Sequence, residues 1–271
     1  MEKEYDPVPR KFDPNAAQPS AAELEAIAVG HAVAVAGRPQ GTGPYPEVNT
    51  LLTNGPGVYG YYSDSNRYGL RETVDALREV GQILDRRYPG RRFGVGDISR
   101  LGGGDIEGHA SHEKGVDVDV RLLRKNWAES PLDYQDENYS HERTQELIDL
   151  FWANSKLGVK LIFFNDPDSQ GTTEYINHDN HLHVRFYRPG ETAAPPTLAR
   201  GNNRKAANNE LQRCLNFWLA ATGNPGEPLV VDGDFGQLTY DRVRDFQGAQ
   251  GIEVNGTAGA ATWEQLQNWR A

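Results

Sequence analysis

The sequence predicts an α+β fold followed by a small all-helical module, and three observations carry that prediction. Residues 116–122 and 181–187 alternate apolar and polar side chains with a period of two, the pattern of half-buried strands. Leu70, Val74, Leu77, Val80 and Leu84 recur at helical spacing, and Pro89-Gly90 then ends the pattern. Near the end, Val231-Asp232-Gly233-x-x-Gly236-x-x-Thr239 returns as Val254-Asn255-Gly256-x-x-Gly259-x-x-Thr262, a repeat of a tight glycine turn leading into a helix.

In chain order, residues 1–45 are rich in Pro, Ala and Gly and read as an arm or wrap, with a short helix plausible over 21–36. The apolar run there carries Glu23, Glu25 and His31, which makes it a poor signal peptide. Residues 57–69 hold Tyr59, Tyr61, Tyr62 and Tyr68 and form a strand and turn or a loop lining a cleft. After the helix at 70–88 comes a short strand at 92–99, then the alternating strand at 116–122. Its Val116, Val118, Val120 and Leu122 point one way, and Asp117, Asp119 and Arg121 the other. A helix near 142–154 shows Leu147, Ile148, Phe151 and Trp152 on one side. Residues 159–164, read as an apolar run, are expected to be buried on both faces. The last strand, 181–187, completes a unit spanning 46–190.

Residues 191–205 read as a linker, and 206–271 as a compact three-helix module. In that module Leu211, Cys214, Leu215 and Trp218 mark the first helix, and Thr262 with Gln265 fits a capping box. About 65 residues can just fold alone.

Composition narrows the function. Among 271 residues, 37% are hydrophobic and 24% charged, as in a soluble globular chain, while 29 glycines and 16 prolines suggest many loops. The net charge of −10 argues against a nucleic-acid binder and against simple charge attraction to an anionic surface. No stretch approaches the roughly 20 apolar residues of a membrane span. Cys214 is the single cysteine, so no internal disulfide forms, and it reads as a small buried hydrophobe.

The chemistry lies in the histidines. Five of seven fall in two clusters, His109-Ala110-Ser111-His112 and His178-Asp179-Asn180-His181-Leu182-His183. Strand alternation puts His181, His183 and Arg185 on one face, where two imidazoles can reach one cation or its water. His112, in a loop rich in glycine (Gly102, Gly103, Gly104, Gly108, Gly115), and Asp119, on the polar face of the next strand, suit a shared ion. His112, Asp119 and His183 then make a two-nitrogen, one-oxygen set, leaving a fourth position for water as in catalytic zinc sites. His181 is the natural general base. A closed structural site would call for a fourth ligand, often a cysteine, and Cys214 lies too far along the chain. His109 and His141, with Asp133 and Asp136, could form a second metal site. Arg185 and Tyr139 are candidates for stabilising an oxyanion.

Gly103-Gly104-x-x-x-x-His109-Ala-Ser111-His112-x-x-Gly115-x-Asp117-Val-Asp119, with His178-x-x-His181-x-His183-Val-Arg185, resembles the penicillin-insensitive murein endopeptidases. These sit within the lysostaphin-type, D-Ala-D-Ala and hedgehog-like metallopeptidases, whose shared signature is His-x6-Asp plus His-x-His. The resemblance covers about residues 50–190. It implies a small antiparallel sheet with flanking helices, one catalytic Zn2+ on His112, Asp119 and His183, and His181 as base. His178 and His109 are implied as supporting residues, His109 on the metal side. Residues 206–271 resemble the type 1 peptidoglycan-binding domain through Leu211-Gln212-x-x-Leu215, the 231–239 turn and Phe246-Gln247.

The reading is a zinc-dependent peptidase of peptidoglycan peptides, a D,D-endopeptidase first, with L-Ala-D-Glu endopeptidase, D,D-carboxypeptidase or a non-catalytic wall-binding protein as alternatives. It is expected to act as a monomer at the bacterial wall, whether secreted, periplasmic or released as a phage lysin. Neither nucleic acid nor membrane is an expected partner.

Overall fold

The computed structural model describes residues 43–106, 109 and 111–270. The arm and helix expected before residue 43, and Gly108 and Ala110 of the first histidine loop, lie outside the described residues. The fold is α+β, as the sequence predicts. Strands β1 (Thr50–Leu51) and β3 (Tyr68–Gly69) pair with each other. The main sheet has β2 (Val58–Gly60), β4 (Phe93–Val95), β5 (Asp117–Arg121), β6 (Val159–Phe163) and β7 (His181–Phe186), in the order β2-β4-β5-β7-β6. Its pairs are antiparallel except for β2 with β4, which run parallel. The crossover between those two is helix α1 (Arg71–Arg87).

The apolar stripe of α1 behaves as its spacing demands: Val74, Leu77, Val80 and Leu84 are fully buried against the sheet. The helix reaches the sheet through a backbone-to-backbone approach at Gly57, whose φ of 68° favours glycine and which lies against Gly81. Helix α2 (His141–Trp152) starts at Ser140, whose hydroxyl caps it by accepting from the Arg143 amide, and buries Leu147, Ile148 and Phe151.

One strand departs from expectation. Lys160 interrupts the apolar run and is exposed, while Leu161 and Phe163 are only half-buried. The reason is position: β6 is the sheet's edge, with a register shift between Val159 and Leu161. A lysine there blunts an otherwise open edge.

The C-terminal part holds α3 (Lys205–Thr222), α4 (Gln237–Ala249) and α5 (Ala260–Leu266) around a second cluster of buried residues that includes Cys214, Trp218, Phe246 and Trp263. The sequence repeat has a common physical basis. Buried Gln212 receives the amides of Asp232 and Gly233 on Oε1, and donates from Nε2 to Asp232 Oδ1 and Asp234 O. Gln247 does the same for Asn255, Gly256 and Thr257. The capping box is not formed. Gly259 occupies the N-cap of α5, and Thr262, already inside the helix, donates to Thr257 O and accepts from Gln247.

This helical part is bound to the sheet-bearing part through buried charge. Arg87 of α1 bridges Glu146 of α2 (2.7 Å) and Glu210 of α3 (2.8 Å), and Arg213 reaches Asp149 at 2.6 Å. Arg270 bonds Glu210 and Glu79. The intervening segment is tied down too, since Leu198 exchanges backbone bonds with Ala258 and Pro196 O accepts from Trp263 Nε1. Among the described residues, no helix is long and apolar enough to cross a membrane.

Candidate metal centre

Strands β5 and β7 are neighbours, and their register sets Asp119 directly opposite His183 and Asp117 opposite Arg185. Val118, Val120, Leu182 and Val184 fill the core on the other face. The polar face is covered by the loop that carries His112. That residue has φ 73°, a left-handed backbone that costs a non-glycine residue energy and that persists only where the surroundings hold it. Its ring is fixed by Nδ1–H donating to Ile98 O at 3.1 Å, which leaves the Nε2 lone pair directed inward.

Three ligand atoms then converge. His112 Nε2 is 3.3 Å from His183 Nδ1 and 3.3 Å from Asp119 Oδ1, and His183 Nδ1 is 3.2 Å from Asp119 Oδ1. The edge of a tetrahedron around zinc, with bonds near 2.05 Å, is about 3.3 Å. The triangle therefore has the size of one face of a zinc coordination shell. All three residues are nearly fully buried, so the cluster is built rather than accidental. The outer partners that such sites need are present: His183 Nε2–H donates to Asp117 Oδ1 at 2.9 Å, and Asp117 is also held by Arg185 Nε. His109 adds a further possible donor, since a ligand atom from each of His109, His112 and Asp119 lies within 4.8 Å of the others.

The charges agree with this picture. Burial pushes the Asp119 carboxyl up, but hydrogen bonds to His112 and His183 outweigh it and hold the group well below the usual range. Burial likewise opposes the charge on His183, yet bonds to Asp117 and Asp119 prevail and raise it to about 9. His181 goes the other way. Burial lowers it to about 4, and the Asp119 charge does not compensate. Its Nδ1–H donates to Asn180 Oδ1 at 2.7 Å, so Nε2, 3.7 Å from Asp119 Oδ1, keeps a free lone pair over the neutral range.

Of the residues singled out in sequence, His112, Asp119, His183, His181 and His109 are brought together. His178 lies beside them, its ring 4.8 Å from His181 and 5.7 Å from His183, with Nδ1–H turned back to Ile176 O. Arg185 is engaged with Asp117. Tyr139 donates to Asp166 at 2.8 Å, and His141 Nδ1 binds the same carboxylate, so neither is directed at the triangle. Asp136 caps its own turn at Asn138.

Two neighbours are not assigned to the site from sequence, although Tyr61 is named among the tyrosines of a strand and turn or a cleft-lining loop. Asp97, buried at the end of the β4 segment, holds His109 Nε2 at 3.1 Å and leaves Oδ1 without a partner among the described residues. Tyr61 lies over Gly94 and Gly96 with the Arg121 guanidinium 3.9 Å from its ring centre. The signal for Tyr61 was present: two glycines at alternate positions make room for an aromatic ring. Nothing local distinguishes Asp97.

Residues 43–156 match the family model of penicillin-insensitive murein endopeptidases, and residues 200–266 match that of the peptidoglycan binding domain. The first match takes in His109, His112 and Asp119 and ends before β6 and β7, so His181 and His183 are tied to it by the geometry above. A zinc D-Ala-D-Ala carboxypeptidase of Streptomyces albus G is 33% identical over 66 residues, 24% of this chain and 26% of that protein. The chain thus spans about a quarter of the length of this curated relative. Both family matches are to peptidoglycan-directed proteins, one a peptidase family and one a binding domain.

Proposed function

We propose that this chain is a zinc-dependent peptidase that cuts a peptide bond in peptidoglycan, with its helical part binding the same polymer. The observation that carries the reading is the triangle of His112 Nε2, Asp119 Oδ1 and His183 Nδ1, with edges of 3.2–3.3 Å. The match to a murein endopeptidase family over residues 43–156 supports the substrate, and the match over 200–266 supports the binding role.

His112, Asp119 and His183 would hold the ion. Zinc there supplies Lewis acidity, which makes water a usable nucleophile at neutral pH and polarises a carbonyl. The chain's own residues do the rest. His181, neutral and with Nε2 directed at the triangle, takes the proton from the attacking water and returns it to the leaving amine. Asp117 orients His183, and Ile98 O orients His112. Cleavage of a D,D cross-link is the first expectation. The relative from Streptomyces albus G, named a D-Ala-D-Ala carboxypeptidase, favours a second reading in which a terminal D-Ala is removed.

Digestion of purified sacculi tests both, comparing the native chain with His181→Ala, zinc-loaded and after chelation, with products read by mass spectrometry. Cross-linked dimers resolved into monomers indicate an endopeptidase, and pentapeptides shortened by one D-Ala a carboxypeptidase. Retention on sacculi without any new fragment, with zinc bound, would sink the enzyme and leave a metal-stabilised wall-binding protein.

A further inference from the structure

A turn after β5 sets Trp127 among arginines. Two guanidiniums meet its ring: that of Arg143, from the first turn of α2, at 4.6 Å from the ring centre, and that of Arg91, just beyond α1, at 5.9 Å. Tyr88 packs against it at 5.0 Å, and both rings rest on the main core. Trp127 has φ 59°, a left-handed backbone that is costly for a bulky residue and persists only where its surroundings hold it. The Trp127 amide donates to Arg124 O at 3.1 Å, and Arg143 Nη1 donates to Arg124 O at 3.0 Å and to Lys125 O. The row of paired arginines and rings continues with Arg92 over Tyr59 at 5.2 Å and Arg121 over Tyr61 at 3.9 Å.

The charge around Trp127 is not neutralised. Arg91, Arg124, Lys125 and Arg143 form no ion pair among the described residues. Arg124 Nη1 donates to Pro131 O at 3.1 Å and Lys125 Nζ to Glu137 O at 2.8 Å, carbonyls that orient a cation without cancelling it. Arg143 holds the turn through Nη1 alone, and its Nε and Nη2 have no partner among the described residues; nor has the guanidinium of Arg91. The nearby carboxylates are committed elsewhere: Glu129 to Arg92, Glu146 to Arg87, and Asp136 to its own turn. Burial disfavours the charge on Arg143, and Arg91 adds to that effect against the pull of Tyr88, Glu142 and Glu146. Arg143 also sits at the positive end of the α2 dipole, so helix stability does not account for it. In a chain of net charge −10, cations gathered this way make a local site and not part of a generally basic surface.

We propose that the patch around Trp127 binds a phosphodiester-linked polyol of the bacterial wall, a chain in which phosphates alternate with short carbon units. Guanidinium forks match phosphate oxygens two at a time. A row of separated phosphates meets several cations at once, as a single carboxylate cannot, and the carbon units between them lie on the indole face. Nucleic acid carries phosphates too, but both family matches are wall-directed. The site would give the sheet-bearing part its own hold on the wall beside that of the helical part, and two linked attachments raise the local concentration of each other. The wall as the place of action comes from the reading above. The binding itself needs no metal, so it stands or falls apart from the peptidase.

The test uses the full chain and poly(glycerol phosphate) of defined length, with Kd read by calorimetry at several salt concentrations. Polyglutamate and oligothymidylate of equal charge are the comparison ligands. Saturable binding is expected, strongest for poly(glycerol phosphate), with log Kd rising against log salt at a slope of about 3 for four cations. The double variant Arg91→Gln, Lys125→Gln changes two exposed side chains. It should weaken binding about tenfold and keep the native circular dichroism spectrum. No saturable binding, or the same Kd in the double variant, overturns the site. Polyglutamate bound as tightly would reduce the patch to charge attraction and overturn phosphate recognition. Oligothymidylate bound as tightly or more tightly overturns the wall polymer in favour of nucleic acid.

Discussion

His183 reaches diagonally across adjacent strands to Asp117, with Nε2 and Oδ1 2.9 Å apart, while the other nitrogen of the same ring points to Asp119 and His112. A single imidazole is thereby fixed in one orientation, with a carboxylate on its outer side and the candidate ligand atoms on its inner side. Asp117→Asn keeps the shape and removes the charge. Zinc affinity should fall about 10–100-fold, read by competition with a chromophoric chelator, while the circular dichroism spectrum stays native. Unchanged affinity would mean that Asp117 serves only Arg185.

Metal uptake should release protons. In the metal-free protein His183 is raised to about 9 by bonds to Asp117 and Asp119, which outweigh the effect of burial. It is therefore protonated at pH 7 and must lose that proton to bind zinc. Calorimetry in buffers of different ionisation enthalpy should report close to one proton released per ion at pH 7, declining as pH passes about 9. The same shift has a stability consequence. Because the folded value lies above the usual 6.5, the stabilisation of the metal-free protein is complete below about pH 6.5 and fades as pH rises through about 9.

The buried charges that join the two parts predict a large stability effect. Arg87→Met leaves Glu146 and Glu210 without their shared partner, and Glu210 is fully buried. A loss of about 3–5 kcal/mol is expected in urea denaturation, with partial recovery in the double variant Arg87→Met, Glu210→Leu. The same network makes deletion of residues 206–271 a poor probe of the sheet-bearing part, since it strips Glu210, Arg213 and Arg270 from partners that remain.

Gly57→Ala should destabilise by more than about 2 kcal/mol. A Cβ there would lie 1.7 Å from Gly81 O, and φ is 68°. The denaturation midpoint is the measurement, and a variant as stable as the native chain would show that α1 can move off the sheet edge at little cost.

Much of the site was legible because strand alternation is a local rule. It put His181, His183 and Arg185 on one face of their strand, and Asp117, Asp119 and Arg121 on one face of an earlier strand, before any pairing was known. Helix α1 was equally plain from its spacing, and the tail from its repeat. Position within the sheet was not legible: 159–164 looked like a buried strand, and Lys160 makes sense only at an edge. Nor was the capping of α5, where Gln247, far along the chain, takes the hydroxyl that a local rule assigned to a capping box.

The sequence alone therefore determined which residues have the chemistry to hold an ion and which faces they occupy, because period and residue type are properties of a few consecutive positions. Only the tertiary structure decided that Asp119 stands opposite His183, that His112 reaches both from a strained loop, that Asp97 supports His109, and that Arg87 locks the helical part to α1 and α2. Those relations join residues from 7 positions apart, His112 and Asp119, to 123. They depend on strand register and helix packing, which the whole core sets at once and no short stretch of chain encodes.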